Sequence, residues 1–279
     1  MTTITSQPSL APGTAVLRDR VAIVTGATSG IGAATAERIA AEGARVALLA
    51  RREERLRALA DRISSEGGTA IALAADVSDK DALASAAERV ARDLGTVDLL
   101  VNNAGVMLPG EITTQPVAEW QRMIDTNLIG ALNAIRALLP GLIGTAEAGR
   151  PADLINVSSI GGKLVFPRYA VYGATKAALT QLTAMLRAEL APRGVRVTDL
   201  QPGLTGSELA GNVTDPESRA GLEDMFKSMQ ALRASDVADL IVYVASRPAH
   251  VNISTLDLVL KQAHGTERAG ENRCFRSDW

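Results

Sequence analysis

The stretch YGATK places Tyr172 four residues before Lys176. On a helix, positions four apart share a face with Cβ atoms about 5–6 Å apart, so an ammonium can sit beside a phenol. A phenol of ordinary pKa, about 10, needs roughly 4 kcal/mol in favour of its anion to titrate near neutrality. One cation about 4 Å away supplies on the order of that at an effective dielectric of about 20. The pair is a candidate acid–base, able to exchange a proton with a reacting oxygen. Thirteen residues upstream of Tyr172 stands Ser159, in INVSSIGG at the end of an apolar run. A preorganised hydroxyl there can share charge developing on a substrate oxygen, an effect worth about 3 kcal/mol. Ser158 competes with Ser159, and Tyr169 competes with Tyr172 but has no lysine four residues on. In WQRMIDTNLIGALNAI, Ile124, Asn127, Leu128, Ala131, Leu132 and Ile135 recur at helical spacing. This puts Asn127 on a buried stripe, where its amide needs partners.

Seven short apolar runs must carry these groups: 21–25, 46–50, 70–75, 97–101, 153–158, 195–200 and 255–260. Their nearly unbroken Val, Ile and Leu content predicts strands covered on both faces. Segments near 31–42, 52–65, 80–94, 116–139, 170–191 and 236–246 have the length and pattern of crossover helices. The rhythm is that of an α/β fold: a single doubly wound, Rossmann-type domain with a seven-stranded parallel sheet and helices on both faces. The expected boundaries are an N-terminal tail at 1–18, the domain at 19–262 and a C-terminal tail at 263–279.

Directly after the first strand comes TGATSGIG, with Gly26, Thr28, Ser29, Gly30, Ile31 and Gly32. Glycines between a strand and a helix let backbone N–H groups approach a pyrophosphate at the helix N-terminus. About 20 residues on, where an NAD site offers a carboxylate to the ribose, this chain has Ala50 followed by Arg51 and Arg52. A guanidinium pairs with a 2′-phosphate that a carboxylate would repel, so NADP(H) is favoured over NAD(H). Either arginine can do this, and either can simply open a charged, solvated helix. Two further loops end strands: Asp76 and Val77 in AADVSD, and Asn103, Ala104 and Gly105 in NNAG.

The spacing of TGATSGIG, together with NNAG and the set Asn127, Ser159, Tyr172 and Lys176, resembles the short-chain dehydrogenase/reductase family over about residues 18–260. The resemblance implies those four residues as a catalytic tetrad, with Asn127 holding a water linked to Lys176. It implies a phosphate-reading role that fits Arg51 better than Arg52, an adenine contact for Asp76 and a cofactor-lining backbone at Ala104-Gly105. After the sixth strand, QPGLTGSEL matches the family's nicotinamide-side turn through Pro202 and Gly203, and either Thr205 or Ser207 fills the carboxamide-holding place. The ARR, NNAGVM and HVNISTLDLVLKQ segments look like the NADP-dependent branch of clavulaldehyde-type reductases and 3-hydroxy-acid dehydrogenases. A homotetramer or homodimer built on helix faces is implied too.

The chain of 279 residues is 47% hydrophobic and 22% charged with net charge −2, which suits a globular protein and gives no electrostatic reason to expect nucleic acid or membrane as partner. One cysteine, Cys274, and two histidines, His250 and His264, argue against a disulfide framework and a histidine-rich metal site; no metal is expected. The composition and the N-terminal sequence lead us to expect a cytoplasmic protein. The expected activity is an NADPH-dependent carbonyl reductase/alcohol dehydrogenase acting on a small-molecule aldehyde, ketone or alcohol. Met107, Leu108, Phe166, Tyr169, Met225, Phe226 and Met229 are candidates for an apolar substrate wall. The alternatives are a dehydrogenase of a small 3-hydroxy acid and a non-catalytic NADPH-binding regulator.

Overall fold

Each of the seven apolar runs becomes a strand. In the computed structural model, which describes residues 15–261, these are β1 (Val21–Thr25), β2 (Arg45–Ala50), β3 (Thr69–Ala74), β4 (Leu99–Asn102), β5 (Asp153–Val157), β6 (Arg196–Pro202) and β7 (Thr255–Leu258). They pair in the order β3-β2-β1-β4-β5-β6-β7, every neighbour parallel. β1, β4, β5 and β6 are buried along their whole length. The order reverses between β1 and β4, which opens a crevice at the carboxyl ends of the strands.

Helices α1 (Gly30–Ala41), α2 (Glu53–Ser65) and α8 (Ala234–Ala245) cover one face; α3 (Lys80–Asp93), α5 (Gly130–Glu147) and α6 (Ala170–Leu190) cover the other. Along β1 the side chains alternate between these layers. Ala22 and Val24 join Ile39, Leu56 and Ile241, whereas Ile23 joins Val90, Leu138 and Leu190, as a strand's period of two demands.

Helix α4 (Val117–Ile124) runs into α5 through a π turn, Asp125–Ile129. The sequence pattern stops near Pro140, yet the helix passes through it to Glu147, because Leu142 and Thr145 still bury against the sheet. The combined run, Val117–Glu147, is long and apolar enough to cross a membrane by length and composition. Its Ala134, Ile135 and Leu138 pack into the core on the α3 side. Helix α7 (Pro216–Ser228) escapes the apolar pattern but carries a start signal: Asp215 accepts from the Ser218 N–H, and Pro216 fills the first turn.

Packing begins before residue 19. The Leu17 N–H donates to Glu42 O at 2.9 Å, and Leu17 is buried in the α1 layer. Residues 1–14 and 262–279, including Cys274 and most of both expected tails, lie outside the described residues.

Candidate active site

Three elements bring the chemistry-bearing groups together. On α6, Tyr172, Thr175, Lys176, Leu179 and Thr183 form the buried stripe, so the helix turns Tyr172 and Lys176 toward the carboxyl end of β5. Ser158 and Ser159 follow β5 directly, and the loop after β6 supplies Pro202 and Gly203. Lys176 Nζ donates to Val157 O at 3.0 Å and stands 5.9 Å from the centre of the Tyr172 ring. Ser159 Oγ accepts from the Gly161 N–H at 3.0 Å and reaches Pro202 O at 3.4 Å. A Cβ added at Gly161 would lie 3.4 Å from both Ser159 Oγ and a Tyr172 ring carbon, so a glycine there leaves these two groups side by side. Ser158 is committed elsewhere: its buried hydroxyl donates to Asp199 Oδ1 at 2.5 Å.

The electrostatics depart from the sequence expectation. Burial pushes the Tyr172 hydroxyl above its ordinary value, with Ser159's hydrogen bond pulling it down and Tyr169 adding to the rise. Burial also lowers the Lys176 ammonium to about 8, against the opposing pull of Asp199. Lys176 is itself desolvated, and its one hydrogen bond goes to a carbonyl rather than to the phenol. The free protein therefore holds a protonated tyrosine beside a lysine that titrates close to neutrality. Tyr169 packs edge-on to Tyr172 at 6.3 Å and to Phe166 at 6.0 Å, as an aromatic wall. Val106, Leu108 and Met123 are buried with Tyr172, and Met107 and Trp120 are partly buried against them.

Asn127 sits in the π turn, and its amide is spent on holding parts of the site. Oδ1 accepts from Val106 N–H at 2.8 Å, and Nδ2 donates to Val106 O at 2.9 Å and to Thr175 Oγ1 at 3.0 Å. Thr175 in turn donates to Tyr172 O. The loop after β4 is thus tied to the helix that bears the tyrosine. Asn102 bridges the sheet centre, donating to Asn156 Oδ1 and Ala131 O.

One cavity of about 600 Å³ is lined by Gly26, Thr28, Ser29, Gly30, Ile31, Arg51, Arg52, Asp76, Val77, Asn103, Ala104, Gly105, Ser159, Tyr172, Lys176, Pro202, Gly203, Thr205 and Ser207. Of the residues singled out in the sequence as catalytic or cofactor-binding, Gly32 and Asn127 do not line it. Gly32 packs beneath: a Cβ there would stand 2.3 Å from Gly26 O, so glycine is required for the helix to approach the loop. Asn127 acts from behind through Val106 and Thr175. Thr205 Oγ1 turns back to Gly203 O at 3.0 Å, and Ser207 lies against Gly30.

The cavity's chemistry suits a phosphorylated dinucleotide at the end away from the tyrosine. The first turn of α1 carries no acidic residue, and Ser29 makes no side-chain cap bond there, so neither opposes an anion at that N-terminus. Arg51 stands 3.8 Å from Asp76. Burial pushes Asp76 up, but Ser78's two bonds and Arg51 outweigh it and hold the carboxyl below its usual range. The sequence reading missed Arg122 and Thr126, which reach the cavity from one turn of helix before Asn127, and Glu208, Leu209 and Asn212 from the turn after Ser207. Arg122 and Thr126 lie four apart, a shared helix face that the apolar pattern does not mark; nothing in the spacing marks Glu208.

Residues 20–218 match the family described as short chain dehydrogenase. The chain is 40% identical over 240 residues to the sulfoacetaldehyde reductase 2 of Chromohalobacter salexigens, covering 86% of this chain and 93% of that protein. It is 39% identical over 239 residues to the serine 3-dehydrogenase of Rhizobium radiobacter, covering 85% and 92%. Among solved structures, the closed form of serine dehydrogenase complexed with NADP+ superimposes with a TM-score of 0.79 at 34% identity, over 90% of this chain and 98% of that one.

Proposed function

The chain belongs to the short-chain dehydrogenase family, as an oxidoreductase of alcohol and carbonyl groups, and on that premise we propose that it is an NADPH-dependent carbonyl reductase with Tyr172 as its acid–base. The observation that carries this reading is that Ser159, Tyr172 and Lys176 line the same cavity as the glycine-rich loop and Arg51. The bound cofactor would supply the hydride. Tyr172, kept protonated by its burial, donates its proton to the oxygen of the carbonyl as charge develops there. Ser159 donates a hydrogen bond to the same oxygen. The Lys176 ammonium stabilises the phenolate left behind, and Asn127 fixes the frame through Val106 and Thr175, with one acceptor position left for a water that returns the proton. Asp76 and Val77 hold the adenine side, and Thr205 or Ser207 the carboxamide.

A small 3-hydroxy acid is the second reading, favoured by the likeness to a serine 3-dehydrogenase. Against it, Arg168, next in the chain to the aromatic wall, is engaged by Asp215 at 2.7 Å, Glu217 at 2.9 Å and Glu111 at 3.6 Å and is not free to hold a substrate carboxylate. A panel of neutral aldehydes, neutral ketones and 3-oxo or 2-oxo acids, assayed by NADPH oxidation and in reverse by NADP+ reduction, decides between them. Turnover confined to the acids would replace the first reading with the second, and no turnover of any member would defeat both.

A homo-oligomer in the cytoplasm completes the proposal. Val117, Ile124, Ile129 and Leu132 on α4–α5 and Met185 on α6 are exposed large apolar side chains, on helices that pack side by side, and a second copy would cover them.

A further inference from the structure

Two arginines follow β2, and they have different partners. Arg51 makes one loose charge contact, 3.8 Å from Asp76, and its side chain is 60% exposed beside the cavity. Arg52 is engaged along most of its fork: Nη2 donates to Thr28 Oγ1 at 2.9 Å and Ser29 Oγ at 3.3 Å, Nε to Thr28 Oγ1 at 3.3 Å, and Nη1 to Glu208 Oε2 at 3.0 Å. One turn later in α2, Arg55 Nη1 bonds both oxygens of the same carboxylate at 2.7 and 2.8 Å.

Glu208 comes from the opposite side of the cavity. It opens the short helical turn Glu208–Asn212 after β6, whose Glu208, Leu209, Gly211 and Asn212 line the cavity. The foot of this segment is anchored, with Gly206 N–H donating to Leu232 O at 2.8 Å and Leu232 N–H to Leu204 O at 2.9 Å. Its middle rests on the glycine-rich loop: at Gly30, φ +52°, a Cβ would come within 2.8 Å of Ser207 Cβ. Its tip is tied by the Glu208 carboxylate to α2. The segment therefore crosses the cavity as a strap with three points of support.

We infer that Arg52 serves the cofactor indirectly: with Arg55 it latches the Glu208 strap over whichever nicotinamide dinucleotide the cavity holds, while Arg51 is the residue that reads a 2′-phosphate. A phosphate needs free donors. Most of those on Arg52 are taken and a carboxylate is hydrogen-bonded to it, whereas Arg51 has only its 3.8 Å contact with Asp76. The Arg55 and Arg52 hydrogen bonds hold Glu208 below the usual carboxylate range, so it is ionised at neutral pH. Glu208 is thus a positioning residue, and a latch of exposed ion pairs is weak enough to open for cofactor exchange.

The inference rests on the dinucleotide reading of the cavity, so its test has one arm that needs no cofactor. In the free protein, Glu208→Gln accelerates amide hydrogen exchange across 206–212, while Arg51→Ala leaves it unchanged. In the second arm, dissociation of NADPH and of NADH is followed by nicotinamide fluorescence. Glu208→Gln and Arg52→Gln speed release of both by a similar factor, about three- to tenfold, and raised salt speeds release from the wild type and narrows that difference. Arg51→Ala speeds release of NADPH alone. Unchanged exchange in Glu208→Gln, or an Arg52→Gln loss confined to NADPH, overturns the latch. A wild type that binds neither dinucleotide defeats the cofactor reading instead, and the exchange arm still judges the tie.

Discussion

The two ends of the sheet bury charge in opposite ways. At the amino end, Arg20 before β1, Asp98 before β4, Asp153 at the start of β5 and Arg196 at the start of β6 form a closed set of two cations and two anions. Arg20 bonds Asp98 at 2.6 Å and Asp153 at 2.7 Å, and Arg196 bonds Asp153 at 2.8 Å. Further donors of the two arginines go to the carbonyls of Ala245, Arg247, Pro248 and Val251, while the buried Arg196 Nε has no hydrogen-bond partner among the described residues. At the carboxyl end, Lys176 and Asp199 are equally buried, yet Lys176 has one carbonyl and Asp199 the neutral donors Ser158 and Gln201. In spite of burial, Arg20 beside its two carboxylates is held above its usual range, although burial still lifts the Asp98 carboxyl, whereas a desolvated lysine with one neutral partner drops to about 8. Keeping it protonated at neutral pH costs the fold about 3 kcal/mol, since its unfolded value is 10.5. The amino end pairs its cations with carboxylates, and the lack of such a pair leaves the carboxyl end a titratable group.

The contrast breaks first at the tyrosine. Tyr172→Phe removes one hydroxyl from the carboxyl end and lowers kcat by about 10²–10⁴-fold, with NADPH affinity and Tm nearly unchanged; retained turnover would remove Tyr172 from its assigned role. The amino end answers in the other currency. Asp153→Asn leaves Arg20 and Arg196 facing a neutral amide and lowers the unfolding free energy by about 3–5 kcal/mol, read by denaturant melts, while kcat per folded molecule stays the same. A fall in kcat without a fall in stability would show the two ends to be coupled.

The amino acids announce these regions unequally. Strand identity and the parallel sheet are legible because β1, β4, β5 and β6 are buried on both faces and so read as unbroken apolar runs. The meeting of Tyr172, Lys176 and Ser159 in one cavity is legible because it depends on local spacing and strand-end position. Asp199 and Glu208 are not legible, because each acts through partners distant in the chain, Ser158 for one and Arg52 and Arg55 for the other. The expected drop in the tyrosine's pKa fails for the same reason: four-residue spacing gives proximity to a cation, while the larger influence, burial under Val106, Leu108 and Met123, comes from other elements. Helix α7 escapes because its first turn carries the signal and its later apolar positions do not repeat.

The smallest expected effect is the sharpest probe of unpaired charge. Lys176 is protonated below about 8, and on the proposed mechanism only the ammonium would stabilise the phenolate that forms as Tyr172 gives up its proton. Reductive kcat/KM is therefore highest at lower pH and falls as pH rises through about 8. Asp199 opposes the lowering, so Asp199→Asn removes a negative charge and moves this limb to lower pH, by about one unit. Ser158 can still donate to the new amide oxygen, so the change falls chiefly on charge. Lys176→Arg, whose guanidinium stays charged throughout the range, eliminates the limb. If the limb stays where it is in Asp199→Asn but vanishes in Lys176→Arg, the lysine titrates without sensing the buried carboxylate, and the carboxyl end holds two independent charges rather than one incomplete pair.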